Sequence, residues 1–369
     1  MATPRVLHVL QTPRAEGTPN LVLDWLAAGH GKLWQAVLVL NHTPADLNDR
    51  LRAAADAYEE HELFARRWRK YPDMTAAAYQ AVKRHRPDVV VCWTTGFGNW
   101  VSAGAFAAGC RRLIVHVGNP PVRGRRGDWV SRYGMWPLLA ARAKVVCCSR
   151  YVRDEYRAIP LIGMREFHAV HNCTRAAEVA RRAAAARAAS GPHPPTAVMV
   201  ATLESHKDHE TLLRAVPRVA GRVPGFRLRL VGGGRLQGAI AARISELGLT
   251  QRVEMLGSRP DVPELLGTSD LFVFSTTPQE GLGSVLIEAL AAGLPAVASD
   301  VPACRELLEG GRWGTLVPPA DPAALADAMV AHLTGAAKAT TGGAEYAAGL
   351  TAERMIGVYL KLVRLRSPL

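Results

Sequence analysis

Residues 278–300, PQEGLGSVLIEALAAGLPAVASD, set a glycine turn ahead of an apolar helix and put two carboxylates, Glu280 and Glu288, on either side of the junction. The residues before them, DLFVFS (270–275), have the branched and aromatic content of a buried strand, and PAVASD supplies a second. Strand, loop, helix and strand in that order form the unit of a parallel α/β sheet. The helix should start near Gly283, Ser284 and Val285, whose backbone N–H groups then make its positive end and favour a phosphate. Gly281 and Gly283 let a ligand lie close to the main chain.

The same alternation continues in both directions. RVLHVL, QAVLVL, PDVVVCW, RRLIVHV and AKVVCCS lie upstream, each followed by a helical or glycine-rich stretch. After HAVHNC an alanine–arginine helix, TRAAEVARRAAAARAASGPHPP (174–195), ends in a Gly/Pro break and is expected to link two domains. The pattern then restarts with TAVMVATL, FRLRLVGGG, RVEMLG, DLFVFS, PAVASD and GTLVPP. The expected organisation is an N-terminal Rossmann-like domain over 1–172, a linker over 173–195, a second Rossmann-like domain over 196–345, and a C-terminal helix within 346–369 that packs back on the first. Ligands of open parallel sheets bind at the carboxyl ends of the strands, so a cleft between the domains is the expected site.

Composition narrows the classes. The 369 residues are 49% hydrophobic and 21% charged, which excludes a disordered chain and suits two cores. Six cysteines show no paired metal spacing and sit in apolar runs, as small buried thiols of a reducing compartment do. No stretch approaches the ~20 apolar residues of a membrane span. The opening apolar run is too short for a secretory signal, so a cytoplasmic protein is expected, peripheral at the inner face of the membrane at most.

Net charge is +13, and residues 1–180 hold 25 Lys and Arg against 15 Asp and Glu. That asymmetry fits an anionic partner of the first half, whether a membrane surface, a phosphorylated acceptor or nucleic acid; an arginine-rich compositional bias accounts for it equally. The basic segments RRWRK (66–70) and RGRRGDW (123–129), with Trp68, Trp129, Tyr133 and Trp136 near them, suit anionic lipid headgroups or a phosphorylated acceptor, and equally a solvated charged face.

Glu288 is the residue that composition does not explain. A carboxylate near a helix start is favoured by the macrodipole, but Glu288 lies two turns on, among Val285, Leu286, Ile287, Ala289 and Leu290. It either binds a group with two hydroxyl donors, as a ribose has, or occupies a narrow solvent stripe.

The motif EGLGSVLIEALAAGLPAV, with RELLEGGRWGTLVPPADPAALADAM after it and VATLESHKDHETLLRAV, LRLVGGG and VEMLGSRPDVPELLGTSDLFVFS before it, resembles the retaining, nucleotide-sugar-dependent glycosyltransferases of the glycosyl transferases group 1 type. The resemblance covers nearly all of the second domain and implies the α/β GT-B fold, two Rossmann-like domains facing a central cleft. It implies that Glu280 contacts the donor sugar and Glu288 the ribose hydroxyls. The amides of Gly281, Leu282, Gly283, Ser284 and Val285 would hold sugar and phosphate oxygens, with Gly232 and Gly257 lining the nucleotide pocket. Lys207 would neutralise the diphosphate.

The sequence also departs from the family pattern. Thr202 stands where the resemblance expects an arginine, leaving Arg235 or Arg259 to replace it, or a catalytically weak or inactive nucleotide-binding protein. The first domain resembles the family less closely. Its first loop, reduced to the single Gly17, would face the donor phosphates, and His116, just after a strand in RRLIVHVGNPP, would lie near the reacting sugar. The acceptor would be a sugar, a lipid-linked molecule or a small molecule. VGGGRLQG lacks the G-x-G-x-x-G spacing of a dinucleotide enzyme, and neither HKDH nor FHAVH has supporting ligands. No metal, no other cofactor and no nucleic-acid partner are expected.

Overall fold

The computed structural model of the chain describes residues 3–14, 17–42, 47–64, 69–93, 96–122, 142–159, 166–338, 340–365 and 367. Arg66, Arg67, Trp68 and the segment 123–129, with Tyr133 and Trp136, lie outside them. The chain divides into two compact units, Met1–Cys173 with Ala352–Leu369, and Thr174–Thr351.

The first unit is built on β1 (Arg5–Leu10), β2 (Trp34–Val39), β3 (Ala57–Glu60), β4 (Val89–Cys92), β5 (Leu113–Val117), β6 (Lys144–Cys147) and β7 (Phe167–Ala169). They form one parallel sheet in the order β3-β2-β1-β4-β5-β6-β7. Around it run α1 (Gly17–Gly29), α2 (Asn48–Ala54), α3 (Lys70–His85), α4 (Gly98–Ala107) and α5 (Arg150–Arg157). Every residue of β4 and β5 is buried, which is why these strands are apolar runs, broken in β5 by His116 alone, rather than alternating ones.

The second unit repeats the scheme with β8 (Thr196–Val200), β9 (Arg227–Val231), β10 (Val253–Gly257), β11 (Leu271–Phe274), β12 (Ala296–Ser299) and β13 (Thr315–Val317), in the parallel order β10-β9-β8-β11-β12-β13. Its helices are α6 (Ala176–Ala189), α7 (His209–Ala220), α8 (Gln237–Glu246), α9 (Val262–Gly267), α10 (Ser284–Ala291), α11 (Pro302–Leu307), α12 (Pro322–Leu333) and α13 (Gly343–Ala348).

The expected linker is instead part of this unit. In α6 the small alanines let α9 approach until a Cβ on Gly267 would stand 2.3 Å from the Ala183 carbonyl oxygen. Arg182 grips both carboxylate oxygens of Glu264 at 2.8 and 2.7 Å, and Arg187 donates to the Ala292 carbonyl at 3.0 Å. The last helix, α14 (Ala352–Leu362), belongs to the first unit, where Met355, Ile356, Tyr359 and Leu360 join Leu21, Trp25 and Trp93 in one core.

Candidate functional site

In the second unit the strand order reverses between β8 and β11, and such a reversal opens a crevice at the carboxyl ends of the two strands. The loop after β8 carries Thr202 and Lys207; the loop after β11 carries Glu280, Gly281, Leu282 and Gly283. Hydrogen bonds fasten one loop to the other. The His206 carbonyl accepts from Thr276 Oγ1 (2.9 Å), Thr277 N (3.1 Å) and Thr277 Oγ1 (3.2 Å), and the Asp208 amide donates to the Ser275 carbonyl (3.1 Å). Ser299, at the end of β12, accepts from the Thr276 amide at 3.0 Å.

Glu280 is at the centre, its side chain 8% exposed. One carboxylate oxygen accepts from the amides of Gly281 (3.2 Å) and Gly283 (3.1 Å), while the other pairs with Lys207 Nζ and accepts from Thr276 Oγ1 at 3.4 Å. Burial pushes the carboxyl pKa up, but the Lys207 charge and hydrogen bond, helped by His206, outweigh it and hold the group below its ordinary value. The Lys207 ammonium also lies 4.7 Å from the Phe274 ring centre. Two main-chain N–H groups and one cation therefore converge on a single anion, which here is the protein's own carboxylate.

Two positions around this crevice require glycine. Gly283 caps α10 at φ 78°, and a Cβ there would stand 2.9 Å from the Phe274 ring. Gly232, at φ 138°, passes so close to the preceding crossover that a Cβ would meet the Ala201 carbonyl at 2.0 Å. Its amide donates to the Gly257 carbonyl at 2.8 Å, so the loops after β8, β9 and β10 form one rim.

Beyond the turn, Ser284, Val285 and Glu288 are half-buried while Leu286, Ile287, Ala289 and Leu290 are buried. Ser284 and Glu288 stand one turn apart on the same helix face. The structure thus brings together Lys207, Glu280, Gly281, Leu282, Gly283 and Ser284, with Glu288 on the same stripe.

Other expected residues fall elsewhere. Thr202 is half-buried in the β8 loop. Both candidate replacements for the missing arginine hold carboxylates: Arg235 reaches Glu204 at 3.0 and 2.7 Å, and Arg259 reaches Asp261 at 2.7 and 2.6 Å. Gly17 is exposed at the start of α1. His116 lies inside β5 rather than just after it, 2% exposed, with Nδ1 2.6 Å from the Tyr359 hydroxyl and the Trp93 ring tilted against it, centroids 5.1 Å apart. Burial drops its pKa to about 4, so the ring is neutral.

Sequence reasoning missed the residues that fasten the loops. Thr276 and Thr277 were legible as two hydroxyls directly after a strand. Asp208, which caps α7 by accepting from Thr211 N (3.0 Å) and Thr211 Oγ1 (2.6 Å), was legible from its spacing to that threonine. A groove of ≈ 490 Å³ lined by Ser205, Lys207, His209, Leu213, Ile240 and Arg243 opens between α7 and α8; it shares only Lys207 with the cradle. Among the described residues no three His, Cys, Asp or Glu side chains converge as metal ligands.

Residues 194–334 match the family described as Glycosyl transferases group 1. The matched segment lies within the second unit, and the two parallel-sheet, Rossmann-like units give the chain the GT-B type of fold. The chain is 38% identical over 132 residues to a phosphatidyl-myo-inositol mannosyltransferase of Mycobacterium leprae, covering 35% of this chain and 34% of that protein. It is 31% identical over 143 residues to a GDP-mannose-dependent alpha-(1-6)-phosphatidylinositol monomannoside mannosyltransferase of Mycolicibacterium smegmatis, covering 37% of each. The matches thus span about a third of these relatives' length. A crystal structure of Anabaena Alr3699/HepE in complex with UDP and glucose superposes with a TM-score of 0.83 at 18% identity, covering 97% of this chain and all of that one.

Proposed function

We propose that the chain is a retaining, metal-independent glycosyltransferase that moves a sugar from a nucleoside diphosphate donor to a hydroxyl of a lipid-linked, glycan or small-molecule acceptor. The observation that carries this reading is the convergence of Lys207 and the Gly281 and Gly283 amides on one anion at the switch point of the second sheet. The mannosyltransferase relatives and a fold neighbour whose structure holds UDP and glucose support it.

On this reading the geometry supports the following roles. A diphosphate takes the amide positions that Glu280 occupies in this structure, and the freed carboxylate turns to the sugar hydroxyls. Glu288, on the stripe that Ser284 begins, accepts from the ribose diol. Lys207 stabilises charge as the bond between the sugar C1 and the β-phosphate oxygen breaks. The acceptor oxygen bonds to C1 on the same face, and its proton passes to the departing phosphate, so no protein nucleophile is required. His116, neutral and enclosed, is assigned to holding α14 through Tyr359 rather than to the sugar. Gly17 is assigned to the donor-phosphate side of the first unit, Gly232 and Gly257 to the nucleotide rim, and Thr202 to the place of a cation this chain lacks. Acceptor binding belongs to the first unit, and the protein works in the cytoplasm.

A second reading, a nucleotide-binding GT-B protein with little turnover, is favoured by Thr202 together with the engagement of Arg235 and Arg259 by carboxylates. Screening nucleoside diphosphate sugars for hydrolysis without acceptor, in the presence of EDTA, separates the two. One donor hydrolysed with its α-anomer released, chelator notwithstanding, is the expected result. Nucleotide binding with no hydrolysis of any donor would establish the second reading, and rescue only by manganese would refute the metal-free mechanism.

A further inference from the structure

Among the described residues the strongly exposed large apolar side chains are Tyr71, Tyr79, Trp100, Phe106, Val122 and Val358, and the four aromatic ones all lie on α3 and α4. The two helices run side by side in the same direction. Tyr71 stacks on Trp100 with centroids 5.3 Å apart, Thr75 Oγ1 donates to the Trp100 carbonyl at 3.2 Å, and a Cβ on Gly104 would stand 2.1 Å from the Thr75 carbonyl. Tyr71, Thr75, Tyr79 and Lys83 follow at helical spacing along the outer stripe of α3. Tyr71, Tyr79 and Trp100 therefore share one surface, at 36–41% exposure each, instead of being scattered singly, with Phe106, about 120° round α4 from Trp100, on its flank.

Each end of that surface carries a cation against a ring. Lys70 Nζ lies 4.8 Å from the Tyr71 ring centre and 5.9 Å from those of Phe64 and Phe97; Lys83 Nζ lies 5.6 Å from Tyr79; the Arg111 guanidinium lies 3.9 Å from Phe106. These three cations have no carboxylate partner among the described residues. Of the acids around them, Asp73 holds Arg69 at 3.6 Å, Glu59 holds Arg84 at 2.6 Å, and Asp88 accepts the Arg5 amide at 2.8 Å. The exposed face of α4 bears no charge at all, since its sequence is GNWVSAGAFA.

We propose that this α3–α4 face docks the protein on an anionic phospholipid bilayer. Tyr and Trp rings with an apolar body and a polar edge seat at the depth of the headgroups, while lysine and arginine ends reach the phosphates beside them. Aromatics with cations at their rims, and no unpaired acid on α3 or α4 between them, complement a negatively charged lipid surface; an interface with a second protein calls for no such excess of one sign. The assignment goes beyond the transfer reaction and stands whether or not that reading is right.

Co-sedimentation with vesicles of phosphatidylglycerol mixed into phosphatidylcholine, against phosphatidylcholine alone, tests it on the full chain. Wild type is expected to sediment with the mixed vesicles only, and less so as salt is raised. Cations near such a surface contribute about fivefold apiece, so Lys70→Gln, Lys83→Gln and Arg111→Gln together should weaken binding more than tenfold. Tyr71→Ala with Trp100→Ala should weaken it as well, with melting temperature recorded for every variant. Two results overturn the proposal: the triple glutamine variant binding like wild type, or wild type ignoring anionic lipid. If the aromatic substitutions convert a dimer to a monomer in sedimentation velocity without touching vesicle binding, the face is instead an interface between copies.

Discussion

Glu280 keeps its charge in a place where burial alone would remove it, because Lys207 and two amides supply what water no longer does. Breaking one side of such a pair is costlier than removing both. Lys207→Met should destabilise the protein by about 3 kcal/mol, since it strands a buried carboxylate, and Glu280→Gln added to it should restore most of the loss. Urea denaturation of the two single variants and the double variant measures this, and strictly additive effects would show that the pair is not coupled. Because the folded pKa of Glu280 is depressed, its contribution is present above the ordinary carboxyl value of 4.5 and is lost as pH falls through the lower folded value. At this scale the sequence was most legible. The Glu280 to Glu288 spacing and the glycines between them mark the motif, but the amides' engagement of Glu280 depends on a side-chain torsion that spacing does not encode.

Among the elements, β1 and β5 carry histidines that cannot ionise without unpacking. His8 is fully buried, with Nδ1 accepting from Trp93 Nε1 at 3.1 Å and Nε2 facing Gln35 at 3.4 Å, and burial lowers its pKa from 6.5 to about 4, as it does for His116. A folded pKa below the unfolded one means stability that is complete above about pH 6.5 and shrinks as pH falls toward about 4, where each histidine has withdrawn about 3 kcal/mol. Denaturation midpoints from pH 7 to pH 5 should therefore fall, and His8→Asn should flatten the slope; an unchanged slope would mean the ring already titrates. The rim loops make a second claim. Gly232→Ala puts a Cβ 2.0 Å from the Ala201 carbonyl, and the main chain cannot yield as a flexible side chain could, so nucleotide affinity should drop at least tenfold with melting temperature. Intact affinity in a folded variant would remove the rim from the site. Most strands were readable from their branched apolar runs. Strand β3, Ala57–Glu60, was not, because it is a half-buried edge strand whose AYEE carries no apolar alternation. Helix α6 looked like a linker because its alanines, which let α9 pack on it, give no apolar stripe of their own.

For the whole molecule, two parallel sheets each reverse strand order once, after β1 in the first unit and after β8 in the second, and the second reversal holds the anion cradle. The repeated strand–helix alternation made that architecture visible in the sequence, and with it the return of the C-terminal helix to the first unit; the contact that fixes that return, Tyr359 meeting His116 across 243 positions, is one no local pattern reveals. The proposed function requires that a nucleoside diphosphate occupy this cradle with its ribose on Glu288. Calorimetric titration of wild type and Glu288→Ala with uridine, guanosine and adenosine diphosphates tests it most directly. One nucleotide should bind wild type with measurable heat and lose about tenfold or more in affinity in the variant, as the loss of charge-assisted hydrogen bonds predicts. Negligible heat from all three with wild type, or equal affinity in the two proteins, would contradict it.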